Sequence, residues 1–125
     1  MFDWRRPKNL GVIGGRFAPC RRTPNCVSSQ ADPSDREHYI APLSGTIDEV
    51  RKVVESMPRT RIISSDSHYL HAEFRSRLLR YVDDVEFHDD GKVLHVRSAS
   101  RLGRRDFGVN RARVEALRRA LTRRP

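Results

Sequence analysis

The sequence predicts a two-layer α+β domain: an antiparallel sheet of about four strands with two helices on one face, entered through a long N-terminal loop segment. Three observations lead there. Helical spacing follows a capping sequence at residue 46, four short strand-like runs lie between residues 60 and 98, and helical spacing returns after residue 109.

Residues 1–45 are punctuated by Gly11, Gly14-Gly15, Pro19, Pro24-Asn25, Pro33 and Pro42, and no strand or helix period persists among them. An irregular stretch of that length in a compact domain is either a mobile arm or a wrapping segment. Phe17, Val27, Tyr39, Ile40 and Leu43 are the apolar residues available to pin it. At Thr46 the pattern changes. Thr46 and Glu49 form a capping box, in which a hydroxyl and a carboxylate satisfy free backbone N–H groups at a helix start. Ile47, Val50, Val54 and Met57 follow at helical spacing and Pro58 stops the run, which predicts a helix over 47–57.

Thr60–Ser65 is short and β-branched, as a strand prefers. Tyr69–Arg75 alternates, with Leu70, Ala72 and Phe74 on one face and Tyr69, His71, Glu73 and Arg75 on the other. Tyr81–His88 groups Tyr81, Asp83, Val85 and Phe87, and Lys92–Ser98 turns Leu94 and Val96 inward. Asp89-Asp90-Gly91-Lys92 between them is a tight-hairpin sequence, because Asp-Gly tolerates positive φ. Val114, Leu117 and Leu121, with Ala120 beside them, form a narrow apolar stripe that predicts a helix over 109–123, with Arg111, Arg118 and Arg119 largely outside it. Residues 1–125 thus read as a single domain, irregular to residue 45 and regular over 46–123.

A chain of 125 residues buries roughly two thirds of its unfolded surface and needs no metal or disulfide to fold. No apolar run approaches the ~20 residues of a membrane span, and Met1-Phe2-Asp3-Trp4-Arg5-Arg6-Pro7 lacks the apolar centre of a secretory signal. The expected location is therefore cytoplasmic, or exported if a signal has been removed, and the expected state is a monomer. Net charge is +9, unevenly spread. Residues 1–30 hold six basic residues against one acidic, residues 31–96 nine against thirteen, and residues 97–125 ten arginines against Asp106 and Glu115. Two basic ends around a mildly acidic centre suit an anionic partner. Lysine occurs only at Lys8, Lys52 and Lys92, so the arginine bias equally reflects a GC-rich genome or a solvated helix face.

Cys20 and Cys26 enclose a Pro24-Asn25 pair that favours a turn, and such a turn is able to bring the sulfurs within bonding range. A disulfide, two free thiols, and a metal or redox role stay open on spacing, which is wrong for a two-residue redox motif and unusual for zinc. The histidines His38, His68, His71, His88 and His95 suggest a metal only weakly, since an exposed polar sheet face accounts for them equally well. Asp83-Asp84 and Asp89-Asp90 do not converge, because adjacent strand residues point to opposite faces. No nucleophile elbow, P-loop or dinucleotide fingerprint occurs, so no catalytic residue, metal or cofactor is assigned. The densest polar signal is Arg97-Ser98-Ala99-Ser100-Arg101-Leu102-Gly103 followed by Asp106-Phe107-Gly108-Val109-Asn110-Arg111-Ala112-Arg113. It leaves a strand and enters a helix, where free N–H groups and arginines make an anion site. The competing reading is structural, with Asp106 or Asn110 capping the helix and Arg97 or Arg101 in an internal ion pair.

Gly15-Arg16-Phe17-Ala18-Pro19-Cys20, continuing to Pro24-Asn25-Cys26-Val27-Ser28-Ser29-Gln30, resembles the opening motif of the domain-of-unknown-function family 1499 (DUF1499). Arg97-Ser98-Ala99-Ser100-Arg101, then Gly103, Asp106, Gly108, Asn110-Arg111 and Arg113, resembles its closing motif. Tyr69–Ser76 and Val82-Asp83-Asp84-Val85 are similar to its central strands. The likeness runs from about Leu10 to Leu121 and departs at Arg21, where the family often has Pro, and at the basic Arg104-Arg105 insert. Members occur in bacteria and plastid-bearing plants, and the family brings no established activity. The resemblance implies that the cysteine loop and the Arg/Asp/Asn segment form one site. The candidate ligand-binding residues are Arg16, Asn25, Ser28, Ser29 and Gln30 from the loop, with Arg97, Ser98, Ser100, Arg101, Asp106, Asn110, Arg111 and Arg113 from the segment.

The resulting expectation is a non-enzymatic binding or accessory module, with a cationic polar patch for an anionic ligand or protein partner. The alternative is a nucleic-acid-binding protein using the basic termini, with weak, sequence-blind contacts. A small hydrolase or thiol redox protein using Cys20 or Cys26 ranks below both.

Overall fold

The structure, a computed structural model, describes residues 6–77 and 81–123, so the outer ends of the expected domain, 1–5 and 124–125, lie outside the described residues. Seven elements follow one another: β1 (Cys26–Ser28), α1 (Ile47–Glu55), β2 (Thr60–Ser65), β3 (Tyr69–Arg75), β4 (Val82–Asp89), β5 (Leu94–Ser100) and α2 (Val109–Thr122). The strands form one antiparallel sheet in the order β1-β5-β4-β3-β2. The class is α+β, with five strands rather than about four.

The additional strand, β1, lies inside the stretch expected to be irregular. Its three residues are too short to display a period of two, and its partner is β5, with Cys26 opposite Ala99 and Ser28 opposite Arg97. Only tertiary pairing makes it a strand. The remaining boundaries differ by small steps with local causes. Asp90 Oδ1 accepts hydrogen bonds from the Lys92 and Val93 amides, which carries the turn through Val93 and delays β5 to Leu94. Pairing with β1 and β4 then extends β5 to Ser100. The capping box at α1 forms as read, Glu49 N–H to Thr46 Oγ1 at 3.1 Å and Thr46 N–H to Glu49 Oε1 at 3.0 Å.

Both helices lie on one face of the sheet. Val50, Val54, Val114 and Leu117 pack with Leu70, Ala72, Phe74, Val85, Phe87, Leu94 and Val96 into one hydrophobic cluster. Val50, Leu70, Val85, Phe87, Val96 and Leu117 are fully buried, and each such side chain stabilises the fold by about 2 kcal/mol. The N-terminal segment wraps this body. Phe17, Val27, Ile40 and Leu43 are buried, and Leu43 pairs with Leu94 through backbone bonds.

The opposite sheet face is not the exposed polar surface expected from the histidines. His71, Glu73, Asp84, Glu86 and Arg97 are all buried, none more than 6% exposed. Chain from the N-terminal segment covers them: Arg6 bonds Glu73, the Gly11 amide bonds Glu86, and the Pro19 carbonyl accepts from Arg97. Burial follows because the acids on β3 and β4 meet arginines of β5 and of the covering segment, so their charge is compensated away from water.

Candidate functional site

Alternation along β5 sends its polar residues to two faces. Ser98 and Ser100 point toward α2 and meet Asn110, which is fully buried and uses its whole amide. Its Oδ1 accepts from Ser98 Oγ at 2.6 Å and Arg113 Nη1 at 2.9 Å. Its Nδ2 donates to Ser100 Oγ at 2.9 Å, Asp106 Oδ2 at 2.7 Å and the Asn25 carbonyl at 3.2 Å. Asp106 also accepts from the Gly108 and Asn110 amides, which closes the N-terminus of α2 although the N-cap residue itself is Gly108. Arg113 pairs with Asp83 at 2.8 Å and lies 5.0 Å over the Phe74 ring. Burial pushes the Asp83 carboxyl above its ordinary pKa, with Arg113 pulling the other way. These groups fasten α2 and the cysteine loop to β5, and their polar capacity is taken up inside the protein.

The loop side is held in the same manner. Asn25 Nδ2 donates to the Gly103 carbonyl at 2.8 Å. Gln30 accepts from the Phe17 amide and donates to the Gly15 carbonyl, while Arg16 donates back to the Gln30 carbonyl. Ser28 Oγ accepts from the Gln30 amide, and Ser29 Oγ accepts from Val96 N–H and contacts His95 Nδ1. Arg111 reaches the Arg36 and Glu37 carbonyls at 3.2 and 3.3 Å, away from the rest. Cys20 and Cys26 are joined as a disulfide with Cα atoms 5.7 Å apart, so in this state neither sulfur is a nucleophile.

The far face of the sheet carries what the individual motifs concealed. Arg101 bridges two strands, with Nε 2.7 Å from Asp84 Oδ2 and Nη2 2.6 Å from Glu73 Oε2. His71 Nε2 donates to Asp84 Oδ1 at 2.8 Å, and Arg6 adds a second cation to Glu73. Burial alone would raise the Asp84 and Glu73 carboxyls, but the Arg101 hydrogen bonds, with His71 and Arg6, hold both below their ordinary pKa. Beside them Glu86 is fully buried, and its Oε2 accepts from Tyr69 Oη at 2.6 Å and Gly11 N–H at 2.7 Å. Burial and this carboxylate together push the Tyr69 hydroxyl far above its ordinary pKa.

Arg97 is the group in this network with the least support. It is 6% exposed, its Nη1 is 3.7 Å from Glu86 Oε1, and its Nη2 reaches the Pro19 carbonyl only at 3.5 Å. Among the described residues its Nε has no hydrogen-bond partner, nor does Glu86 Oε1. Burial lowers the Arg97 pKa, with Glu86 and Asp84 opposing and the like charge of Arg21 adding to it. Arg97 lines a recess of about 40 Å³ together with Arg21, Arg101, Asp84, Asn25 and the covering residues Pro7, Asn9 and Leu10. A volume of that size holds a few water-sized atoms. Among the described residues, no group of three or more His, Cys, Asp or Glu converges to hold a metal ion.

The structure therefore gathers Asn25, Arg97 and Arg101 around the recess, sets Ser98, Ser100, Asp106, Asn110 and Arg113 in the helix-side knot, and leaves Arg16, Ser28, Ser29 and Gln30 as fasteners of the loop. Residue-by-residue reading missed His71, Glu73, Asp84 and Glu86. Their signal was present as parity: in paired strands these residues share a face with Arg97 and Arg101, with Glu86 opposite Arg97.

A family model described as "Protein of unknown function (DUF1499)" matches residues 16–121. No curated protein and no solved structure matches the chain. The chain belongs to the DUF1499 family.

Proposed function

We propose that this DUF1499 member is a binding module whose recess beside Arg97 takes a small oxyanion, a carboxylate or phosphate group carried by its ligand. The observation that carries this reading is the buried, unpartnered Nε of Arg97, a residue that lines a polar recess. A buried donor left without an acceptor costs about 1–3 kcal/mol, and two guanidiniums close enough to repel each other, Arg97 and Arg21, add to that cost. An oxyanion between them relieves both. Of the surrounding carboxylates, Asp84 and Glu73 already face Arg101 and Arg6, while Glu86, with Oε1 3.7 Å from Arg97 Nη1, is the group an incoming anion has to compete with.

The fold supports a binding role over a catalytic one. The disulfide and the Asn25 side chain hold the loop that carries Arg21 against β5 and the segment after it, so the recess is preorganised. The nucleic-acid reading ranks second, because Arg111, Arg113 and Arg118 direct their guanidinium groups to protein acceptors.

Thermal melts at constant ionic strength test the proposal, with acetate, phosphate or sulfate replacing chloride. An anion at one hundred times its dissociation constant stabilises the fold by about 2.7 kcal/mol. One of these anions raises the melting temperature of the wild type along a saturating curve. Arg21→Gln, an exposed substitution, shifts that curve to higher concentration without lowering the melting temperature in chloride. Equal melting in all anions contradicts the proposal.

A further inference from the structure

The loop between β5 and α2 carries a feature that the oxyanion recess does not use. Phe107 is 94% exposed, and its backbone lies at φ 53°, a region that bulky residues rarely enter. The next residue, Gly108 at φ 79°, occupies the same region without steric cost. Glycine or asparagine at position 107 fits this turn better and presents no ring to water. The free protein gains neither burial nor favourable backbone geometry from Phe107, and a residue of this kind points to a role outside the fold itself.

The ring lines an open groove of about 320 Å³. Pro24 and Val27 supply apolar lining, and Arg36, Arg105 and Arg111 supply positive charge. Arg111 is held in place by the Arg36 and Glu37 carbonyls, so its charge is fixed at the groove. The N-terminus of α2 is already closed by Asp106, so an acidic group entering the groove meets guanidinium groups rather than helix amides. The groove shares no lining residue with the Arg97 recess.

An exposed aromatic ring among arginines is the composition of an interface centre. We propose that this groove docks an extended acidic segment of a partner protein, with its carboxylates on Arg36, Arg105 and Arg111 and one apolar side chain against Phe107. Glu37 and Asp106 in the same lining favour a peptide over a nucleic acid. A peptide alternates acidic and neutral positions, whereas a phosphate backbone presents charge at every unit.

Fluorescence polarisation with a fluorescein-labelled Glu-Leu-Glu-Asp-Leu-Glu peptide tests the proposal. The wild type binds it saturably, and the matched peptide with Gln and Asn for the acids does not bind. Phe107→Asn and Arg105→Gln each weaken binding by about tenfold, the loss that a central contact of this kind typically carries. Phe107→Asn also melts above the wild type, because asparagine tolerates the left-handed backbone. That pair of outcomes, better folding with poorer binding, is not produced by a residue with a purely structural role. The proposal is overturned if the acidic peptide does not bind, if Phe107→Asn binds it as tightly as the wild type, or if a short oligothymidylate binds the groove more tightly than the peptide.

Discussion

Replacing Arg101 with methionine removes the cation that joins β3 to β4 on the covered face while keeping much of its volume. Arg101 sits 2.7 and 2.9 Å from the two Asp84 oxygens and 2.6 Å from Glu73. The substitution leaves two carboxylates that are 1% and 3% exposed. Breaking a buried ionic group by removing one partner costs about 3–5 kcal/mol. Asp84 keeps His71 and Glu73 keeps Arg6, which places Arg101→Met at the lower end, about 3 kcal/mol. For a domain of this size the melting temperature falls by roughly 10 °C. The pH dependence discriminates further. Both carboxyls have depressed pKa values in the folded wild type, so their stabilisation is complete above the unfolded values of about 4 and is lost as pH falls through the lower folded values. Without Arg101, burial is opposed less, and both folded pKa values rise. The variant's deficit is then largest near neutrality and shrinks on acidification, as protonation relieves the buried charge. Differential scanning fluorimetry of both proteins between pH 7 and pH 4 measures this. A variant that melts with the wild type at neutral pH refutes the reasoning, and so does a deficit that grows as pH falls.

Three further outcomes follow from the same geometry. Intact mass after alkylation without reductant shows no added groups, and reduction first allows two, because Cys20 and Cys26 are bonded; closing a loop of that separation contributes about 2 kcal/mol, so the reduced protein melts lower. Asp106→Ala costs about 1–2 kcal/mol by removing the acceptors for Gly108 and Asn110, and Asp106→Asn costs less because an amide oxygen still accepts, with thermal melts of both variants as the check. Nucleic acid binds weakly, without sequence preference, and is released steeply by salt, as electrophoretic mobility at rising salt shows; selective binding at physiological salt contradicts this.

The helices and four longer strands were legible because their periods are local. Thr46 and Glu49 declared α1, and the Asp-Gly pair declared the β4–β5 turn, since both depend on neighbours within a few residues. The strand β1 was not legible, because three residues carry no period and its pairing is with a distant strand. Asp106 was readable as a cap from its place before a helix, whereas the hub role of Asn110 depends on Ser98, Ser100 and Asn25 arriving from elsewhere in the chain. The far face shows the same limit. Alternation alone predicted that Tyr69, His71 and Glu73 share a side, but whether that side meets water depends on where the N-terminal segment lies. An irregular segment has no periodic signal of its docking site, so the buried network appeared only with the fold.

The claim that Arg97 holds an oxyanion is tested most directly at its own Nε–H. Arginine Nε–H groups give resolved signals in a ¹H–¹⁵N correlation spectrum, and Arg97→Lys identifies the one that belongs to Arg97. On titration with acetate or phosphate at constant ionic strength, that signal moves downfield along a saturating curve as the unpartnered Nε gains an acceptor. Exposed arginines drift only linearly in the same series. If the Arg97 signal stays fixed at anion concentrations that move the exposed arginines, the recess does not take an oxyanion.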